Sequence, residues 1–178
     1  MARRSYKIRR RRRGSRWAAN IQEISQSIVN IGPDGKWMRD YTLAFNPTQL
    51  STAVSQVFTV KNFEITFNID IATDEPNILA NLEDICAYIM FVPQGMNVTT
   101  DYNIQHPEYI MAYKFLGSPN NDYLSQQYQP FRIKSRLSRK LQSGDQIKLL
   151  LVGNNTSSTL AISGLEIHGV YRWWTKAN

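Results

Sequence analysis

Residues 62–71 read NFEITFNIDI, and apolar and polar side chains alternate throughout this stretch. Its apolar members all fall at odd positions: Phe63, Ile65, Phe67, Ile69 and Ile71. Successive side chains of a β-strand point to opposite faces of the sheet, so this period of two predicts a strand with one packed face and one solvated face. The stretch therefore favours an antiparallel sheet that covers a core on one side.

The same period predicts further strands along the chain. Three apolar residues, Phe131, Ile133 and Leu137, alternate with three basic ones, Arg132, Lys134 and Arg136. Near the C-terminus four apolar residues share one phase: Leu165, Ile167, Tyr171 and Trp173. Trp173 and Trp174 must then point to opposite faces, so one of them is expected to be available for a subunit interface or for stacking on a base.

Other segments complete a set of about eight strands. Continuous apolar runs at 85–92 and 147–152 predict interior strands covered on both faces, and weaker patterns predict strands around 21–31 and 109–116. Turn signals separate the strands at 32–35, 93–95, 117–120, 143–145 and 153–155. One short helix is predicted, with Asp74 as its cap, Pro76 in its first turn, and Ile78, Leu82 and Ile85 on one face. Together these signals predict an all-β fold, an eight-stranded antiparallel jelly-roll sandwich with a short inter-strand helix.

Positive charge is concentrated at the N-terminus. Of the 21 Lys and Arg residues in the chain, nine lie in residues 1–16, which contain no acid: Arg3, Arg4, Lys7, Arg9, Arg10, Arg11, Arg12, Arg13 and Arg16. Residues 17–178 hold the other 12 cations and all 14 acids, a net charge of −2. Packed like charges cannot bury a core, so we expect a disordered arginine-rich arm over 1–16 and one folded domain over 17–178.

The arm predicts binding to nucleic acid. Arginine contacts phosphate oxygens in bidentate fashion and stacks on bases, and five consecutive arginines repel one another unless a polyanion neutralises them. The same residues would serve as a nuclear-localisation signal read by a host nuclear import receptor. A solvated tail without a partner and a mitochondrial transit peptide are the disfavoured alternatives.

A second basic group lies on a predicted strand and its turn: Arg132, Lys134, Arg136, Arg139 and Lys140. With Phe131, Ile133 and Leu137 toward the core, the alternation projects three cations together from the other face as a basic stripe: Arg132, Lys134 and Arg136. Contact with nucleic acid is one interpretation of this stripe. An ordinary charged face that protects an edge strand from aggregation is an equally good one.

No residue pattern typical of an enzyme stands out. His106 and His168 lack companions at metal-ligand spacing, and Cys86 is expected to be a small buried residue. The acidic residues at 70–84 could hold a calcium ion between subunits, although a solvated loop is the favoured interpretation. There is no apolar run of about 18 residues and no secretory signal, so no membrane insertion is expected. We predict no catalytic residues, no metal and no cofactor.

Two segments resemble a known family. Residues 135–147, SRLSRKLQSGDQI, look like the strand-turn-strand segment before the last strand of single-jelly-roll capsid proteins from circoviruses and related small circular single-stranded DNA viruses. The aromatic ending at 171–178, YRWWTKAN, and the arginine-rich arm are also similar to theirs. The resemblance implies a homo-oligomeric shell, commonly of about sixty copies, with arms turned inward onto a single-stranded circular DNA genome.

Three classes of function therefore remain to be compared. The leading expectation is a capsid protein that resides in the virion and, during assembly, in the host nucleus, with an RNA genome as an alternative to DNA. The others are a cellular RNA-binding or ribosome-associated protein with a basic extension, and a cupin-type jelly-roll enzyme, which would need a histidine-rich metal site.

Overall fold

The described part of the chain contains eight β-strands. The computed structural model describes residues 16–28, 31–33, 35–47, 57–71, 82–117, 130–159 and 165–177. In chain order the strands are β1 (Ala18–Ile28), β2 (Gly35–Phe45), β3 (Phe58–Ile71), β4 (Leu82–Val92), β5 (Ile110–Gly117), β6 (Phe131–Leu141), β7 (Gln146–Asn155) and β8 (Leu165–Ala177). One short helix, α1 (Tyr102–Gln105), and a 3₁₀ turn at Pro107–Tyr109 connect β4 to β5.

The strands form two four-stranded antiparallel sheets. Sheet I has the order β1-β8-β3-β6 and sheet II the order β2-β7-β4-β5. Strands that are distant in the chain are therefore neighbours in each sheet. The chain crosses repeatedly from one sheet to the other, in the double Greek-key order of a jelly roll. The jelly-roll sandwich predicted from the sequence is confirmed.

The main core lies between the two sheets, as the alternation at 62–71 predicts. Phe63, Ile65 and Phe67 are at most 1% exposed, whereas Glu64 and Thr66 between them face outward and are only half-buried. From sheet II the core receives the apolar side chains of the central strands, Ile85, Ala87, Ile89, Ile147, Leu149 and Leu151. Burial of this apolar surface is the main stabilising contribution to the sandwich.

A second apolar cluster covers the outer face of sheet II. Met90 of β4 and Leu150 of β7 point away from the main core, and Tyr102 of α1 packs against them from the connection between β4 and β5. The continuous apolar runs of β4 and β7 are thus explained, because both of their faces are covered. The prediction of interior strands at 85–92 and 147–152 is confirmed.

The predicted helix is wrong where the structure describes it. Leu82 and Ile85 belong to β4, where Leu82 pairs with Asn155 of β7 and both apolar side chains enter the main core. The rest of that prediction, residues 74–81, lies outside the described residues. The helical spacing was misleading because pairing with β7 extends β4 back to Leu82. Among the helices of the described residues, none is long and apolar enough to cross a membrane.

Two other sequence-based expectations differ from the structure. Residues 153–155, expected to turn, continue β7, because Gly153 leaves room for the Trp37 indole that lies against the strand. Leu137, expected in the core, is exposed, because two residues of β6 oppose the single Asn62 of β3 at a bulge. Strand β2 had no clear alternation and was not predicted individually.

Candidate nucleic-acid interface

The outer face of sheet I gathers most of the cations of the folded body. Cross-strand pairing places six of the 12 cations of residues 17–178 there, and the exposed Arg136 adjoins them at the bulge of β6. We call this surface of seven cations the basic face: Lys61, Arg132, Lys134, Arg136, Lys140, Arg172 and Lys176. The three strands β8, β3 and β6 contribute to it side by side. Because partners directly opposite each other in a sheet have Cβ atoms about 5 Å apart, charges from distant parts of the chain act together here.

Glu64 lies at the centre of the basic face. Lys134 Nζ lies 2.9 Å from its Oε1, Arg172 donates from Nε to its Oε2 across 2.6 Å, and Arg132 also donates to Oε1. The side chain of Glu64 is 12% exposed, whereas the three cations are 51–55% exposed. Three basic groups thus share one carboxylate and keep much of their surface open to solvent.

The cations around Glu64 also set its protonation. Its hydrogen bond with Lys134, together with those from Arg132 and Arg172, lowers the pKa of Glu64 from 4.5 to about 2, although burial acts in the opposite direction. The carboxylate is therefore ionised at neutral pH. The centre as a whole keeps an excess of positive charge, which suits it to a phosphate chain.

Two tryptophans stand among these cations. Lys61 of β3 is the register partner of Trp174 of β8, and its Nζ lies 3.8 Å from the centre of the Trp17 ring. The guanidinium of Arg172 lies 5.7 Å from the centre of the Trp174 ring. Trp17 is 36% exposed and Trp174 is half-buried, whereas Trp173 points into the core. The expected opposite directions of Trp173 and Trp174 are confirmed.

The position of Trp17 relates the arm to the basic face. The described chain begins at Arg16, which is exposed, and Trp17 rests on Lys61 just before β1 starts at Ala18. Trp17, the first residue after the predicted arm, therefore lies on the basic face. The arm cations Arg3, Arg4, Lys7 and Arg9–Arg13 lie outside the described residues.

The structure places the predicted stripe on β6 and extends it. Arg132, Lys134 and Arg136 are all exposed, but the first two contact Glu64 while Arg136 lies at the bulge beside Leu137. Sequence reasoning missed Lys61, Arg172 and Lys176 as members of the same surface. The alternation of β8 indicated an outward direction for Arg172 and Lys176. Lys61, by contrast, shares the odd phase of the buried Phe63 and faces outward only because the register of β3 shifts at Asn62. No local signal indicated that β3 and β8 lie beside β6.

The other polar candidates form no comparable site. His106 stacks on Tyr109 and lies tilted against Tyr102. His168 is exposed, and its Nε2 lies 2.9 Å from Oε2 of Glu166, which shares the outer face of sheet I. Cys86 is half-buried rather than fully buried. Within the described residues no group of three or more His, Cys, Asp or Glu side chains could hold a metal ion.

No protein-family profile and no curated protein matches the chain. Solved structures do match it. A chain in a solved structure of turnip yellow mosaic virus is 14% identical, and the alignment covers 90% of this chain and 94% of that chain, with a TM-score of 0.43. A chain in the structure of cocksfoot mottle virus is 10% identical over 89% of this chain and 94% of that chain, with a TM-score of 0.41. The decameric BFDV capsid protein aligns at 6% identity over 92% and 98%, with a TM-score of 0.36. At these identities the likeness concerns the fold alone.

Proposed function

We propose that this chain is a viral capsid protein that self-assembles into a small icosahedral shell and packages a single-stranded genome. One observation carries the proposal: residues 17–178, of net charge −2, present most of their cations on one face of the jelly roll, and Trp17, which directly follows the nine cations of residues 1–16, lies on that face. A shell protein needs this polarity, because one side must hold the genome while the others meet neighbouring subunits. The role is structural and not enzymatic.

The charge of the arm is suited to packaging without sequence preference. About sixty arms with nine cations each would supply roughly 540 positive charges, enough to neutralise part of a genome of about one to two thousand phosphates. The basic face would add to this at the inner surface of the shell. Single-stranded circular DNA is the proposed genome and RNA is the alternative. Digestion of the extracted nucleic acid by DNase or by RNase distinguishes the two.

Exposed aromatic residues support assembly through the remaining surface. Tyr113 and Phe115 of β5 are exposed on the outer face of sheet II, where they pair with Tyr88 and Cys86 of β4. Aromatic residues are enriched at interfaces between protein subunits. In the proposal the protein resides in the virion, and the arm also binds a host nuclear import receptor so that assembly occurs in the nucleus.

The proposal is tested by particle formation and by nucleic-acid content. We expect closed shells of about twenty nanometres by electron microscopy, as about sixty copies of one 178-residue subunit imply. Deletion of residues 1–16 should remove packaged nucleic acid, read as the ratio of absorbance at the nucleic-acid and protein maxima, and leave soluble folded protein.

A matched pair of arm variants distinguishes the loss of positive charge from other effects of replacing the arginines. Replacement of Arg9–Arg13 by lysine keeps the charge and should preserve packaging, whereas replacement by glutamine should abolish most of it. Unchanged packaging in the deletion or glutamine variants would overturn the role of the arm.

A second candidate is a cellular RNA-binding protein, and the basic face of the folded body is the observation that favours it. That function predicts a monomer in solution whose body binds RNA without assembling. Sedimentation velocity distinguishes the two functions, since a shell sediments many times faster than a monomer of 20.5 kDa.

A further inference from the structure

The geometry points to a base-stacking site for single-stranded nucleic acid, in which Trp17 and Trp174 receive unpaired bases while Lys61 and Arg172 hold the adjoining phosphates. This inference rests on the proposed function, because it concerns how the same face holds the genome. It goes further by naming the form of nucleic acid and the chemistry of its recognition.

The arrangement of the four side chains supports this assignment. Lys61 is the register partner of Trp174 and its Nζ also lies 3.8 Å from the centre of the Trp17 ring, so both indoles flank one cation. Arg172 lies beside Trp174 on the same strand, 5.7 Å from its ring centre, and is anchored by Glu64. Two aromatic and two basic side chains thus lie together on one face, from β3 and β8 and from the residue that precedes β1.

The chemistry of this row fits unpaired bases better than a duplex. Proteins that bind single strands without sequence preference combine a positively charged track for the backbone with aromatic rings on which bases stack. In a duplex the faces of the bases are already stacked on one another, so they cannot cover an indole unless the helix opens. A duplex could therefore use only the cations of the row.

A second copy of the chain is a poorer occupant of this row. The seven cations of the basic face would repel the same face of another subunit, and interface cores are depleted of charged residues. The partly exposed indoles need a partner that is flat, apolar on its faces and anionic along its backbone. A single strand of nucleic acid has all three properties.

The test compares two polyanions of equal length and charge on the full chain, namely oligothymidylate and an abasic deoxyribose phosphate. Stacking predicts that oligothymidylate binds at least about fivefold more tightly and quenches tryptophan fluorescence, because each stacked base contributes to binding. The double variant Trp17→Leu with Trp174→Leu should lower this ratio toward one. The matched control, Ile21→Ala with Val170→Ala, changes exposed apolar residues of the same face and should leave the ratio unchanged.

The single variant Trp17→Leu covers the case in which the double variant does not fold, because Trp17 precedes β1. It should lower the ratio of the two affinities to a value between that of the unmodified protein and one. Equal binding of the two polymers by the unmodified protein would overturn the base-stacking site while leaving salt-dependent packaging by the arm intact. Failure to bind either polymer would instead overturn the proposed function. A fluorescence change that accompanies assembly without nucleic acid would assign the row to a subunit interface and also overturn the inference.

Discussion

Arg172 of β8 donates from Nε to Oε2 of Glu64 on β3 across 2.6 Å, although 108 positions separate the two residues in the chain. The pairing of β3 with β8 brings them together, and the pairing of β3 with β6 adds Arg132 and Lys134 to the same carboxylate. Glu64 therefore both stabilises the sheet and offsets part of the charge that would otherwise face a polyanion.

Replacement of Glu64 by glutamine should destabilise the protein in a pH-dependent manner. The pKa of Glu64 is lowered from 4.5 to about 2 in the folded state, first by its hydrogen bond with Lys134. The stabilisation is therefore present above about pH 4.5 and is lost as the pH falls toward about 2. Urea unfolding should show the variant less stable by about 1 kcal/mol at neutral pH, the upper end for exposed ion pairs.

The difference in the free energy of unfolding between the unmodified protein and Glu64→Gln should disappear in acid. Glu83→Gln is the matched control, because Glu83 is exposed on β4 and has no ion pair among the described residues. A difference that stays constant from neutral pH to about pH 2 would contradict a stabilising role for the ionised carboxylate.

The same variant should bind nucleic acid more tightly. Without the carboxylate, Arg132, Lys134 and Arg172 are free to contact phosphate, so affinity for a single strand should rise and its salt dependence should steepen by about 0.7 in log–log slope for each added contact. Fluorescence titration of Glu64→Gln at several salt concentrations measures both quantities. An unchanged slope would indicate that these cations do not reach the phosphates.

Ser135 is expected to stabilise the edge at which the two sheets meet. Its hydroxyl is buried at 4% exposure and donates to Met111 O of β5 across 2.8 Å, while it accepts from Leu137 N. Ser135→Ala leaves the Met111 carbonyl without this donor and should cost about 1–3 kcal/mol. The control Ser138→Ala, at an exposed position of the same strand, should change the free energy of unfolding by less than about 0.5 kcal/mol.

Gly169 should tolerate no side chain. A Cβ at this position of β8 would lie 2.3 Å from Thr66 O and 2.7 Å from Phe67 Cα, both backbone atoms of β3. Gly169→Ala should therefore cost about 1–3 kcal/mol by forcing the two strands apart. Gly32→Ala is the control, because nothing lies within 4 Å of the added atom. Equal thermal stability of the two variants would show that the strands separate without cost.

The alternation of single strands was predictable because it depends on local geometry. The buried row Phe63, Ile65 and Phe67 and the opposite directions of Trp173 and Trp174 follow from the period of two in a strand. The exposure of Leu137 was not predictable, because it depends on how β6 pairs with β3 at Asn62. The continuous apolar runs of β4 and β7 indicated that both faces of these strands are covered. They did not indicate that Tyr102 covers Met90 and Leu150.

The sequence by itself determined a strand-rich body, the direction of most side chains and the concentration of positive charge in residues 1–16, ahead of a nearly neutral remainder. These properties follow from composition and from the backbone geometry of one strand. The tertiary structure alone decided which strands are neighbours, and so it alone placed Lys61, Arg172 and Trp174 beside the stripe of Arg132 and Lys134. Strand order depends on contacts between distant segments, which no local pattern specifies.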